Sequence, residues 1–86
     1  MNSPHQHYFE CQTDTHFKFY SIDLEAVTVS NFTFWIVRTL RGRIGEAGKE
    51  IVFGYISQDK ALKKIQKLRK TRIKHQYQEL ESSLFF

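Results

Sequence analysis

The spacing of apolar residues changes once along this chain, at Ser57, from a period of two to spacings of three and four. Before that point, Phe17 and Phe19 fall on one side of an alternating run, and Tyr20, Ile22 and Leu24 on the other. In a second run, Phe32, Phe34, Ile36 and Leu40 share a face, with Trp35 and Val37 opposite. Both runs read as strands, and the second, apolar on both sides, is expected to be central. Tyr8-Phe9-Glu10-Cys11 is a shorter strand candidate, followed by the polar turn Gln12 to His16, and Ser30-Asn31 is the expected break between the two long runs. Gly42, Gly45 and Gly48 punctuate the connection to Glu50–Ile56, and so short a link between strands makes a hairpin.

Beyond Ser57, a good N-cap, Asp59 sits in the first turn and Ala61, Leu62, Ile65 and Leu68 form a stripe. A helix is expected from Gln58 to His75 or Gln76. Arg69 and Arg72 continue that stripe. Either the helix overhangs the sheet there, or their stems lie along it while the guanidinium groups reach water or a partner. The fold class is therefore α+β: a twisted antiparallel sheet of four to five strands, with one long C-terminal helix across one face and the other face open. The expected divisions are a flexible N-terminus at 1–7, a domain at 8–81 and an apolar tail at 82–86.

Eighty-six residues make one small domain and exclude a multidomain enzyme. A hydrophobic content of 41% is enough to bury a core. The charge is unevenly spread. Residues 1–37 hold Lys18 against four acids, Glu10, Asp14, Asp23 and Glu25, whereas residues 38–86 hold twelve basic residues against five acids. Between Lys60 and Lys74 there are eight basic residues and no acid. Such asymmetry points to a polyanionic partner, nucleic acid first and an anionic membrane surface second. A single cysteine, Cys11, excludes an intramolecular disulfide and a thiolate zinc site and fits a buried strand position. With no signal-peptide pattern and no apolar stretch of about 20 residues, a cytoplasmic protein is expected.

The run Arg41-Gly42-Arg43-Ile44-Gly45-Glu46-Ala47-Gly48-Lys49 follows a strand carrying Lys18-Phe19-Tyr20 and precedes a strand and a helix with Ala61, Leu62, Ile65 and Leu68. In this order, from roughly Tyr8 to Glu81, the chain resembles the WGR domain, named for a Trp-Gly-Arg tripeptide followed by an apolar residue and Gly. The resemblance implies a twisted antiparallel sheet with a helix across it. It also implies a nucleic-acid role, since WGR domains sit beside catalytic domains in poly(ADP-ribose) polymerases. There the motif Trp stacks on the sugar and base at a DNA break, and the Arg makes polar contacts nearby. Three departures stand out. Arg41 replaces the Trp, Gln76 replaces the Gly that closes the helix and argues against a left-handed cap, and Arg38 lies one residue further from the tripeptide, which suggests a bulge.

Arg41 and Arg43 are two apart, so a strand continuing through Gly42 presents both guanidinium forks on one side to a phosphate backbone, with Gly42 permitting close approach. The bland alternative is that both are solvated hairpin arginines or pair with Glu46 and Glu50. Lys49 and the helix residues Lys63, Lys67, Lys70 and Arg72 complete the candidate nucleic-acid-binding set, expected to form one continuous cradle. The alternative for the lysines is a solvated face. Trp35, Phe53 and Tyr55 would stack bases if exposed, but core packing is the expectation for Phe53 and Trp35, and Tyr77 is expected to dock the C-terminal segment. His5, His7 and His16 lack further ligands, so no metal and no cofactor is expected, and no catalytic constellation appears. The expected function is a non-catalytic nucleic-acid-binding module, DNA favoured over RNA, acting through phosphates with little sequence preference. The alternative is a protein adaptor docking through the open sheet face, the hairpin or Leu84, Phe85 and Phe86, with no membrane partner.

Overall fold

The computed structural model describes residues 6–80. Five strands and a helix follow in order: β1 (His7–Gln12), β2 (Phe17–Val29), β3 (Phe32–Arg43), β4 (Lys49–Tyr55), α1 (Gln58–Lys74) and β5 (Gln78–Leu80). The strands form one antiparallel sheet in the order β4-β3-β2-β1-β5. The middle strand is therefore β2; β3, expected to be central, lies second from the edge. β3 is still an interior strand, bonded on both sides, because the successive hairpins from β1 through β4 extend the sheet in one direction from β1. The short strand β5 is visible only after folding, because its three residues pair with β1 across the far edge. His7, assigned by sequence to the flexible terminus, is the first residue of β1 and pairs with Ile22. Leu84, Phe85 and Phe86 lie outside the described residues.

Alternation sorts the side chains as the sequence suggests. Phe9, Tyr20, Ile22 and Val37 point to one face and meet Ala61 and Ile65 of α1, and all are 6% exposed or less. Each large apolar side chain removed from water contributes about 1.5–3 kcal/mol, so this layer holds the helix on the sheet. Trp35, Phe53, Tyr55, Leu62, Leu68 and Tyr77 pack around it. Cys11 is buried. On the uncovered face, Phe19 is buried under Tyr8, whose ring stacks on it at 6.3 Å. Burial, with a hydrogen bond to Glu10, pushes the Tyr8 hydroxyl up to about 12.

The β2–β3 ladder is continuous from Lys18 opposite Arg43 to Val29 opposite Phe32, so the bulge suggested by Arg38 is absent. Arg38 instead points to the uncovered face, between Glu25 at 3.0 Å and Glu50 at 3.2 Å. β2 runs past Glu25, and the hairpin tip projects beyond the ends of β1 and β4. There Val27, Val29, Phe32 and Phe34 remain 36–66% exposed.

Ser57 caps α1 by accepting the Lys60 N–H. At the other end, the Gln76 N–H donates to the Ile73 carbonyl and the Tyr77 N–H to the Arg72 carbonyl, a Schellman closure. It requires a left-handed residue, and Gln76 adopts φ 68. The expectation that Gln76 disfavours such a cap is thus corrected: the contacts of Tyr77 and β5 impose the conformation on a side chain that resists it. Beyond the turn, Glu79 of β5 accepts from Arg69 Nη2 at 2.8 Å and from Nδ1 of His7 at 2.6 Å. Arg69 therefore lies along the sheet and ties the helix to its edge. Burial alone raises the Glu79 carboxyl, but the hydrogen bonds from Arg69 and His7 outweigh it and hold the group below its usual value.

Two outcomes follow from the helix end. Gln76→Gly removes the left-handed strain and raises stability by about 1 kcal/mol, a rise of roughly 4–8 °C in Tm for a domain this size, read by thermal unfolding. Glu79→Gln costs about 1 kcal/mol at neutral pH, because the pair is only partly shielded from water. The folded carboxyl ionises below its unfolded value of about 4.3, so its contribution is full above that pH and is lost as pH falls through the folded pKa. The gap between wild type and Glu79→Gln in urea titrations closes correspondingly below about pH 4.

Candidate nucleic-acid interface

β3 does continue through Gly42, so Arg41 and Arg43 leave the same face, the one that carries the helix. Register brings two further cations to them: Lys49 of β4 lies directly opposite Arg41, and Lys18 of β2 directly opposite Arg43. Like charges placed opposite one another in a sheet are destabilising, so these two pairs make this end of the sheet a site that gains from an anion. All four side chains are exposed. The fifth cation comes from the last turn of α1. Arg72 lies with its guanidinium 4.4 Å over the Tyr20 ring and 5.3 Å from the Tyr77 ring, which itself meets Tyr20 edge-on. Its stem follows the apolar stripe inward, and its Nε is buried without a hydrogen-bond partner. Stacking on two tyrosines holds the guanidinium plane in place.

These groups line an open concavity of about 530 Å³, together with Thr15, His16, Phe17, Gly42, His75 and Tyr77, and no carboxylate is among the lining residues. The nearest counter-charge to Arg43 is Glu46 at 3.8 Å, with both side chains more than half exposed, a pair worth little. The end of α1 that reaches the concavity is its C-terminus, whose dipole is negative. Attraction for an anion therefore comes from the side chains alone.

Lys63, Lys67 and Lys70 are not part of this concavity. They border a separate, shallower depression with Leu62 and Gln66, on the side of α1 opposite Ala61 and Ile65. Lys63 is paired with Asp59 at 3.2 Å. The single continuous cradle expected from the sequence is thus replaced by two basic surfaces on opposite sides of one helix, because Arg72 falls on the inner stripe and the three lysines on the outer one. Lys64 lies over the Phe53 ring at 4.3 Å. Trp35, Phe53 and Tyr55 pack against the core and offer no open stacking platform. Among the described residues, no cluster of three metal-ligating side chains occurs.

Sequence reasoning missed Lys18, His16 and His75. For Lys18 the signal was present: a two-residue turn at Ser30-Asn31 sets Lys18 across from Arg43 by counting alone.

Gly42 permits a close approach, but the approaching backbone is the chain's own. A Cβ on Gly42 would stand 2.7 Å from the Gly48 Cα, and one on Gly48 would meet the Arg41 carbonyl oxygen at 2.7 Å and the Phe19 ring at 2.8 Å. Gly48 also has φ 82. The pair lets the β3–β4 hairpin fold tightly and sets the spacing of Arg41, Arg43 and Lys49. Because backbone atoms block the added methyl, Gly42→Ala costs about 2 kcal/mol in denaturant unfolding. A cost below about 0.5 kcal/mol would mean the hairpin is looser than described.

No curated protein and no solved structure matches the chain. The family model of the WGR domain matches residues 5–83. That match takes in the whole sheet, the crossing helix and the Arg41-Gly42-Arg43-Ile44-Gly45 hairpin, and the chain belongs to the WGR domain family.

Proposed function

We propose that this chain is a nucleic-acid-binding module, with DNA the favoured partner, that grips phosphates in the concavity formed by Lys18, Arg41, Arg43, Lys49 and Arg72. WGR domains are nucleic-acid-binding modules in poly(ADP-ribose) polymerases and are not catalytic by themselves. The observation that carries the reading is the juxtaposition of Lys18 with Arg43 and of Arg41 with Lys49 on adjacent strands, beside Arg72, in a concavity whose lining holds no carboxylate. Arg41 stands where the family has Trp, so a guanidinium fork suited to a phosphate replaces an indole suited to stacking. Phosphate contacts orient a protein on nucleic acid without reading bases, which accords with little sequence preference. No helix among the described residues is long and apolar enough to cross a membrane.

A second reading, a protein-docking module, draws on the uncovered apolar tip formed by Val27, Val29, Phe32 and Phe34. The two readings part in a salt titration of oligonucleotide binding followed by fluorescence anisotropy. Engagement of four to five phosphates gives log K against log salt a slope of roughly −4 for duplex DNA. Arg41→Ala with Arg43→Ala makes the slope shallower by about 2, whereas Lys63→Ala with Lys67→Ala leaves it within about 0.5 of wild type. Absence of binding to nicked, blunt and single-stranded oligonucleotides at low salt defeats the first reading. Equal slopes for both double variants reduce it to diffuse attraction by any basic protein.

A further inference from the structure

β4 is an edge strand: β3 takes one side, and among the described residues nothing pairs with the other. The direction of its backbone groups follows from one hydrogen bond. The Ile51 carbonyl accepts the Thr39 hydroxyl at 3.0 Å and is therefore turned toward β3. In an antiparallel ladder the N–H and C=O of one residue face the same neighbour, and successive residues alternate. Residues 49, 51, 53 and 55 thus bond β3, while Glu50, Val52 and Gly54 present donors and acceptors outward.

Such an edge is usually blunted by proline, a bulge, an inward charge or a covering element. None of these protects the middle of β4. Its register with β3 is unbroken from Trp35 opposite Tyr55 to Arg41 opposite Lys49, and its charges, Lys49 and Glu50, stand at one end. Ile51 on the helix face is 38% exposed and Val52 on the other face 48%, so neither side is covered there.

We propose that β4 pairs with β4 of a second copy of this chain, antiparallel, about a twofold axis through Val52. The occupant is a second copy because the strand is self-complementary in that register. Val52 faces its own counterpart, and Glu50 faces Gly54 of the second copy, so every outward donor and acceptor of all three residues is satisfied. On the helix face, Ile51 meets Phe53 of the second copy and Lys49 meets Tyr55. Apolar groups therefore oppose apolar groups, and no like charges face one another. Moving the axis to Ile51 leaves Gly54 without a partner, and moving it to Phe53 does the same to Glu50. The symmetry is closed and isologous, so pairing stops at two. Both helices then lie on one side of a continuous sheet, with the two basic concavities opening on that side. That last consequence bears on the proposed function; the pairing itself does not depend on it.

Sedimentation equilibrium of the full chain from roughly 10 µM to 1 mM, without nucleic acid, tests the pairing. The expected result is a reversible monomer–dimer equilibrium. Val52→Pro removes one outward donor and no bond to β3, and Val52→Lys sets two like charges at the axis. Each weakens association at least tenfold, about 1.4 kcal/mol, with an unchanged circular dichroism spectrum. Hydrogen exchange adds a readout independent of the variants: the Val52 and Gly54 amides become protected as wild-type concentration rises, while those of Ile51 and Phe53 are protected throughout. A monomer over the whole range overturns the proposal. So does a dimer that survives both substitutions, or one in which the Val52 amide still exchanges freely.

Discussion

The continuous hydrogen-bonded ladder between β2 and β3 is the constraint on which the other features rest. It spans from the Ser30-Asn31 turn to the Lys18–Arg43 pair, and along it every residue of one strand has a fixed opposite in the other. A slip of one position would put Val37 on the opposite face from Tyr20 and Ile22, so the three could no longer form one core layer under the helix. It would also part the cations at the far end. The same ladder therefore seats the helix and composes the site, which ties the position of the charges to the stability of the core.

The site works against the stability of that end of the sheet. Two pairs of like charges face each other across neighbouring strands, at a cost of a few tenths of a kcal/mol or more each. The offsetting terms lie elsewhere: Ala61 and Ile65 packed onto Phe9, Ile22 and Val37, and the Arg69–Glu79–His7 cluster that fastens the helix to β5 and β1. Arg72 bridges the two regions. Its stem belongs to the helix's inner stripe, and its guanidinium, stacked on Tyr20 and Tyr77, belongs to the concavity. The motif glycine serves the scaffold as well, since Gly42 and Gly48 give up their side chains so that β3 and β4 can close on one another.

Much of the architecture was legible in the alternation of the two long strands, in the switch of period at Ser57 and in the glycines between Gly42 and Gly48. Those signals are local, and local signals survive without knowledge of the fold. β5 was not legible, because a three-residue polar strand has no period of its own. The left-handed Gln76 was misread for a related reason: backbone preference favours glycine, but the docking of Tyr77 and β5 after the helix overrides it. The edge position of β3's outer neighbour, and with it the unsatisfied side of β4, likewise appears only once strand order is known.

For the site, residue chemistry was written in the chain and convergence was not. The run Arg41-Gly42-Arg43, the basic helix and the acid-poor second half are properties of the sequence, as is the twofold spacing that sends Arg41 and Arg43 to one face. Which cations act together was decided in three dimensions, because strand register joins Lys18 and Lys49 to the arginines, while the helix's angular repeat sends Arg72 inward and Lys63, Lys67 and Lys70 outward. One-dimensional order specifies what each side chain can do, and only the packing of helix on sheet specifies which of them can reach the same anion.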